Sequence, residues 1–211
     1  MSDSMLKICR AAPVVPVLTV ESVASAVALA QALVAGGLTV LEITLRTPAA
    51  LDAISKVKVE VPEAIVGAGT VRNAKDLDAA VSAGSSFAVS PGATSALLDA
   101  ADGAPIPMLP GAATVSEAMA LNDRGFKVLK LFPAEPVGGV SWLKNVGGPL
   151  PQIHFCPTGG IDAEKAPDYL ALDNVVCVGG SWVAPTALIR NEAWSEIKKL
   201  ARTAFLLGKR G

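Results

Sequence analysis

The residue with most chemical promise is Lys130, within the stretch KVLKLFPA (127–134). Lys127 opens the run and can reach solvent from its end. Lys130 is enclosed by Val128, Leu129, Leu131 and Phe132, and Pro133 stops the segment. A short run apolar on both faces reads as a strand of a buried parallel sheet. An ammonium is costly there, so such a lysine is either paired or sheds its proton. A neutral amine is a nucleophile toward carbonyls. The alternative is a lysine that snorkels out or neutralises a buried carboxylate.

A matching carboxylate stands far upstream. LEITLR (41–46) spaces Glu42, Thr44 and Arg46 by two, so on a strand they share a face. By the same parity Phe132 shares the face of Lys130. An amine, a carboxylate and a guanidinium at one mouth could form an imine, move a proton and hold an anion. An interior ion pair that only neutralises charge is the structural alternative, and it does not exclude catalysis.

Two glycine pairs are the next signal. Gly159-Gly160 follows Thr158, and Gly179-Gly180 precedes Ser181. Glycine lets backbone N–H groups approach an anion closely. One such pair can be a mere turn. Two, with a serine attached to the second, suit a phosphate.

These groups meet only if the elements carrying them converge. Strands are predicted at 14–20, 39–45, 64–70, 87–92, 107–112, 127–134, 153–160 and 174–180. Helices are predicted over about 1–11, 21–35, 48–59, 73–84, 95–101, 114–125, 141–146, 163–171 and 192–207. Asn73 is an N-cap, Thr114 and Glu117 form a capping box, and Gly36-Gly37 is a C-cap. Strict alternation at roughly 20 to 25 residues per unit predicts an α/β fold, a (β/α)8 TIM barrel. One domain spans 1–211, with a short N-terminal helix. A flavodoxin-like open sheet competes, but usually needs fewer strands. In such a barrel the site lies at the C-terminal strand ends. There the chain supplies Glu42, Thr44, Arg46, Thr70, Ser90, Pro91, Lys130, Thr158 and Ser181, with both glycine pairs. The pairs follow strands seven and eight, where barrels often bind phosphate.

Composition excludes other classes. The 211 residues are 51% hydrophobic, enough for one sizeable core. Net charge is −1 and no basic cluster appears, so no nucleic-acid partner is expected. Lys198, Lys199 and Arg202 suit the solvated face of a terminal helix. Three cysteines at wide spacing indicate neither a disulfide framework nor zinc. Cys156 and Cys177 lie in apolar strands as core thiols, and reduced thiols suit the cytoplasm. Neither a signal peptide nor an apolar run of about 18 residues is present, so no membrane association is expected. A single His154 at a strand start leaves little room for histidine catalysis or a metal site. GAGTVR (67–72) is no dinucleotide fingerprint, and no Walker loop occurs. The expected chemistry therefore uses no metal and no cofactor, with lysine as the electron sink.

Six blocks, in order, carry a resemblance: LEITLRT (41–47), IVGAGTV (65–71), FAVSPG (87–92), LKLFPAE (129–135), FCPTGGI (155–161) and GGSW (179–182). From about Val14 to Pro185 the chain closely resembles the 2-keto-3-deoxy-6-phosphogluconate aldolase family, which also handles 4-hydroxy-2-oxoglutarate. The resemblance implies a class I aldolase of the Entner–Doudoroff pathway that releases pyruvate, and a homotrimer. It implies Lys130 as the Schiff-base lysine and Glu42 as general acid and base. It places Arg46, Thr70 and Thr158 along the pyruvate pocket, and Phe132 and Pro91 on its apolar wall. Gly159, Gly160, Gly180 and Ser181 fall at the phosphate end. Leu131 departs from a common second aromatic, and Ala113 from a common hydroxyl residue. Both bear on substrate preference more than on the reaction. Two rivals differ in what they need. A phosphosugar isomerase would share the phosphate loops without a buried lysine, and a phosphosugar-binding protein would need no nucleophile.

Overall fold

In the computed structural model, which describes residues 2–209, the apolar runs form a ring of parallel strands inside a ring of helices. The first half of the chain supplies α1 (Ser2–Arg10), β1 (Val14–Leu18), α2 (Val23–Gly36), β2 (Val40–Thr44), α3 (Ala50–Glu60), β3 (Ile65–Gly69), α4 (Ala74–Ser82), β4 (Ala88–Val89) and α5 (Ser95–Asp102). Then come β5 (Met108–Leu109), β6 (Gly111–Ala112), α6 (Val115–Asp123), β7 (Val128–Leu131), α7 (Gly139–Gly147), β8 (His154–Phe155), α8 (Ala166–Leu170), β9 (Val178–Gly180), α9 (Thr186–Arg190) and α10 (Trp194–Leu206). No helix among the described residues is long and apolar enough to cross a membrane.

The strands run β5-β4-β3-β2-β1-β9 in one sheet and β6-β7-β8 in another. The expected fifth strand is split at Pro110, which has no N–H to donate. The halves still bridge their neighbours. Leu109 accepts from the Ser90 amide at 3.1 Å, and Pro110 accepts from the Lys130 amide at 2.9 Å. At the other seam, single bridges join Phe155 to Val175 and Thr158 to Gly179. These links close the ring as the expected (β/α)8 barrel, and α1 packs on β5 and β7 across its floor.

Side-chain parity sorts each strand into an inner and an outer row. The outer rows and the helices form the large core, with Leu29, Leu33, Leu41, Ile43, Ile54 and Leu129 fully buried. The inner rows, with Met5 and Cys9 from α1, form a separate apolar floor that also holds Val15, Val40, Phe87, Val89, Leu109, Val128, Cys156 and Cys177. One pleat above Val40 stands Glu42, and one pleat above Val128 stands Lys130. Register brings β2 against β3, with Glu42 beside Gly67 and Thr44 beside Gly69. A Cβ on Gly69 would collide with the Glu42 carboxylate, so glycine there makes room for the inward acid.

Helix starts follow local chemistry. Ser22, Asn73, Thr94 and Thr114 each accept an amide hydrogen bond three residues on. Glu117 completes the capping box by accepting from the Thr114 and Ala113 amides, both at 2.8 Å. The Ala113 amide, despite some opposing burial, does most to hold the Glu117 carboxyl below its ordinary range. The depressed value means this contribution is present above the ordinary carboxylate pKa and fades as pH falls through the lowered one. Thr114→Ala should cost about 1 kcal/mol, read as a lower Tm at neutral pH with an unchanged denaturant slope.

Two expectations need correction. α8 is five residues, not the nine of 163–171, because Asp162 first captures the amides of Glu164 and Lys165 in a turn. α9 was not expected. Its five residues after Pro185 span too few turns to show a period.

Candidate active site

At the C-terminal end of the ring lies a cavity of about 310 Å³. Its lining includes Arg46, Lys130, Phe132, Thr158 and Ser181. The size falls in the range of small-molecule sites. The apolar floor seals it from below.

Lys130 enters from β7 and Glu42 from β2. The Lys130 ammonium donates to Glu42 Oε1 at 3.2 Å and Oε2 at 3.5 Å. The residues are 4% and 3% exposed, so water does little to screen the pair. Lys130 lines the cavity and Glu42 is not part of that lining. Phe132 stacks near the lysine, with its ring centroid 5.4 Å from Nζ. The two residues share a face, as parity requires.

Arg46 does not simply continue the inward row of β2. The strand ends at Thr44, and the Arg46 amide turns back to the Thr44 carbonyl at 2.8 Å. The guanidinium then donates through Nε to Thr70 Oγ1 at 3.0 Å. Thr70 has a φ of 61°, which is strained for a β-branched residue. That strain sets its hydroxyl against the arginine at the mouth. Thr44 itself is fully buried and donates to the Leu18 carbonyl at 2.9 Å. Its hydroxyl also lies 3.2 Å from that of Thr19.

Pro91 is at the end of β4, where its carbonyl would block a Cβ on Gly111; it does not line the cavity. Gly159, Gly160 and Gly180 do line it, as does Ser181. Gly159 and Gly160 have φ values of 107° and 80°, which a side chain would resist. Among the described residues, the amides of Gly160 and Ile161 have no acceptor within the chain. Such a loop of unpaired N–H groups is a nest for an anion.

Sequence reading missed part of the wall. Thr19 lines the cavity just past β1, and Thr186 and Ile189 line it from α9. A hydroxyl directly after an apolar strand could have singled out Thr19. Nothing local singled out the α9 pair.

Among the described residues, no group of three or more His, Cys, Asp or Glu is placed to hold a metal ion. The cysteines gather in the floor instead. Contacts with Cys156 and Cys9, with burial, push the Cys177 thiol up, and a protonated core thiol is unreactive. His154 sits on β8 at the level of Val128, the floor residue of β7. Burial pushes its imidazole down, toward the neutral form.

A closed parallel barrel with a buried amine against a carboxylate, under a glycine-lined mouth, has the parts of an imine-forming barrel lyase. Residues 5–200 match the family described as KDPG and KHG aldolase, and the chain belongs to that family. KDPG is 2-keto-3-deoxy-6-phosphogluconate and KHG is 4-hydroxy-2-oxoglutarate. The chain is 53% identical to the 2-dehydro-3-deoxy-phosphogluconate aldolase of Pseudoalteromonas atlantica, covering 91% of this chain and 89% of that protein. It is also 53% identical to the KHG/KDPG aldolase of Escherichia coli K12, over 91% of this chain and 90% of the relative. Among solved structures, the KDPG aldolase of Legionella pneumophila superposes with a TM-score of 0.93 at 44% identity, covering 95% and 97% of the two chains. That structure holds pyruvate as a covalent carbinolamine intermediate. The Zymomonas mobilis enzyme, with 3-phosphoglycerate, gives a TM-score of 0.93 at 46% identity over 98% and 97%.

Proposed function

We propose that the chain, as one domain over 1–211, is a class I aldolase that reversibly cleaves 2-keto-3-deoxy-6-phosphogluconate to pyruvate and glyceraldehyde 3-phosphate. It also cleaves 4-hydroxy-2-oxoglutarate to pyruvate and glyoxylate. The first reaction places it in the Entner–Doudoroff pathway. The observation that carries this reading is the buried Lys130–Glu42 pair, 3.2 Å apart, with the lysine lining the cavity. The captured pyruvate in the Legionella relative supports imine chemistry, and the phosphoglycerate in the Zymomonas relative supports a phosphorylated substrate. Resemblance to the family supports a homotrimer, and three free cysteines support a cytoplasmic setting.

In this mechanism Glu42 takes a proton from the Lys130 ammonium, and the neutral amine attacks the keto carbon of the substrate. Glu42 returns the proton as the carbinolamine hydroxyl leaves as water. A protonated imine remains. Glu42, directly or through a water, then removes the proton from the hydroxyl on the fourth carbon. The bond between the third and fourth carbons breaks, and its electron pair passes into the imine. The aldehyde leaves and an enamine stays on the lysine. Glu42 delivers the proton to the third carbon, and hydrolysis frees pyruvate and Lys130. One group serves every proton step because it alternates between carboxylate and acid, giving back each proton it takes. Arg46, held by Thr70, binds the substrate carboxylate as a charge-assisted pair. Thr158 lines the pyruvate end, Phe132 supplies its apolar wall, and Pro91 backs that wall from the end of β4. A coupled assay for pyruvate release, with borohydride trapping of the pyruvate adduct, tests the whole reading. Turnover without a trapped adduct would exclude the imine, and neither signal would exclude an aldolase.

The phosphate end is assigned to the backbone of Gly159, Gly160 and Gly180 and to the Ser181 hydroxyl. Ser181→Glu sets a carboxylate against the phosphate, a repulsion of kcal/mol size in a partly dry site. The KM for the phosphorylated substrate should rise by roughly tenfold or more. Exchange of the pyruvate methyl protons in deuterated water should continue, because that half-reaction involves no phosphate. Exchange that collapses in step with cleavage would move Ser181 to the catalytic end.

A further inference from the structure

A second cleft lies behind the Gly159–Gly160 loop and shares no lining residue with the active-site cavity. Three of its side chains form a connected cluster. Lys165 pairs with Glu135 Oε2 at 2.7 Å, and the buried Tyr169 hydroxyl donates to Glu135 Oε1. The Lys165 ammonium also donates to the Gly160 carbonyl at 3.1 Å. The Glu135 amide donates to the Gly159 carbonyl at 3.1 Å. Packing is tight, since a Cβ on Gly160 would meet Glu135 Cβ and Cγ at 2.8 and 2.7 Å. Lys165 and Tyr169 together hold the Glu135 carboxyl below its ordinary range, so the anchor stays charged.

Peptide geometry turns this cluster into a device. In a trans peptide the C=O and N–H point in opposite directions. With the Gly159 carbonyl tied to Glu135, the Gly160 amide points the other way. With the Gly160 carbonyl tied to Lys165, the Ile161 amide does the same. Gly160 and Ile161 both line the active-site cavity. Among the described residues, neither amide has an acceptor within the chain.

We propose that Lys165, anchored by Glu135 and Tyr169, is a positioning residue that holds the Gly159–Gly160 loop with its amides toward the cavity and so sets affinity for the substrate phosphate. The proposal rests on the phosphate placement given above. A rival is that the Lys165 charge acts on the phosphate directly through space. The two differ in sign at Glu135. Glu135→Gln removes a nearby negative charge, so direct action predicts tighter phosphate binding, and a strut predicts weaker binding.

The experiment measures kcat and KM for the phosphorylated substrate and for 4-hydroxy-2-oxoglutarate in four variants. Lys165→Met should raise KM for the phosphorylated substrate about tenfold, as for loss of one charge-assisted bond, with kcat within about twofold. Its KM for 4-hydroxy-2-oxoglutarate should not move. Lys165→Arg should restore most of the affinity, and Glu135→Gln should weaken it. A lower KM in Glu135→Gln would replace the strut by direct charge. An equal loss with both substrates would reduce the cluster to general stability. Ser181→Glu is the control for the placement beneath. If it raises KM and Lys165→Met does not, the strut alone fails. If neither does, the phosphate placement fails and the strut falls with it.

Discussion

Lys130→Ala should yield a folded barrel that forms no reducible adduct with pyruvate and releases no pyruvate from either substrate. The electron sink in the proposed route is the imine nitrogen, and among the described residues no second lysine lines the cavity. Fold retention is expected because the apolar floor beneath and the outer core do not include Lys130. The cost is concentrated at Glu42, which is 3% exposed and loses its ammonium partner. Stranding one member of a buried pair destabilises by about 3–5 kcal/mol, so a lower Tm is part of the expected result. The decisive measurement is the mass of the protein after borohydride and pyruvate. An adduct in this variant would demote Lys130 to a structural residue and send the search to another amine.

Glu42→Gln should separate imine formation from proton transfer. Glutamine has nearly the same shape, and the space left by Gly69 accepts it. Trapping with pyruvate should therefore persist at a reduced rate, with solvent taking the Lys130 proton in place of Glu42. Cleavage and pyruvate proton exchange should both slow on the order of 10² to 10⁴ fold, as for a lost general base. KM should change little, because Glu42 lies outside the cavity lining. Turnover near that of the parent would assign the base elsewhere, for instance to a water held by Thr70. Loss of trapping as well would mean that solvent cannot replace Glu42 in deprotonating Lys130 before attack.

Much of this molecule is legible in the chain alone because the forces involved are local. Buried strands must be apolar on both faces, so Lys130 stands out without any neighbour known. Caps act within three residues, which is why Asn73 and the Thr114–Glu117 box were found where the structure has them. Parity put Lys130 with Phe132, and Glu42 with Thr44, on common faces. The six motif blocks placed the chain in a family that its match over residues 5–200 confirms.

Other features depend on which distant segments adjoin, and parity does not specify that. Glu42 and Lys130 are 88 residues apart, and only closure of the ring turns two inward rows toward each other. Each half of the strand split at Pro110 serves one neighbour, a division of partners that only the closed ring sets. Arg46 left the inward row because its backbone turned after Thr44, a matter of the β2–α3 loop meeting Thr70. Thr19, Thr186 and Ile189 became lining residues only once β1 and α9 were set around one mouth. Glu135, Lys165 and Tyr169 read singly as surface or core residues. They form one cluster because the loops after β7 and β8 run side by side, with the amides of Ala134 and Glu135 donating to the carbonyls of Thr158 and Gly159. A hydrogen bond or an ion pair reports distance in space, and distance in space is what folding adds to the order of residues.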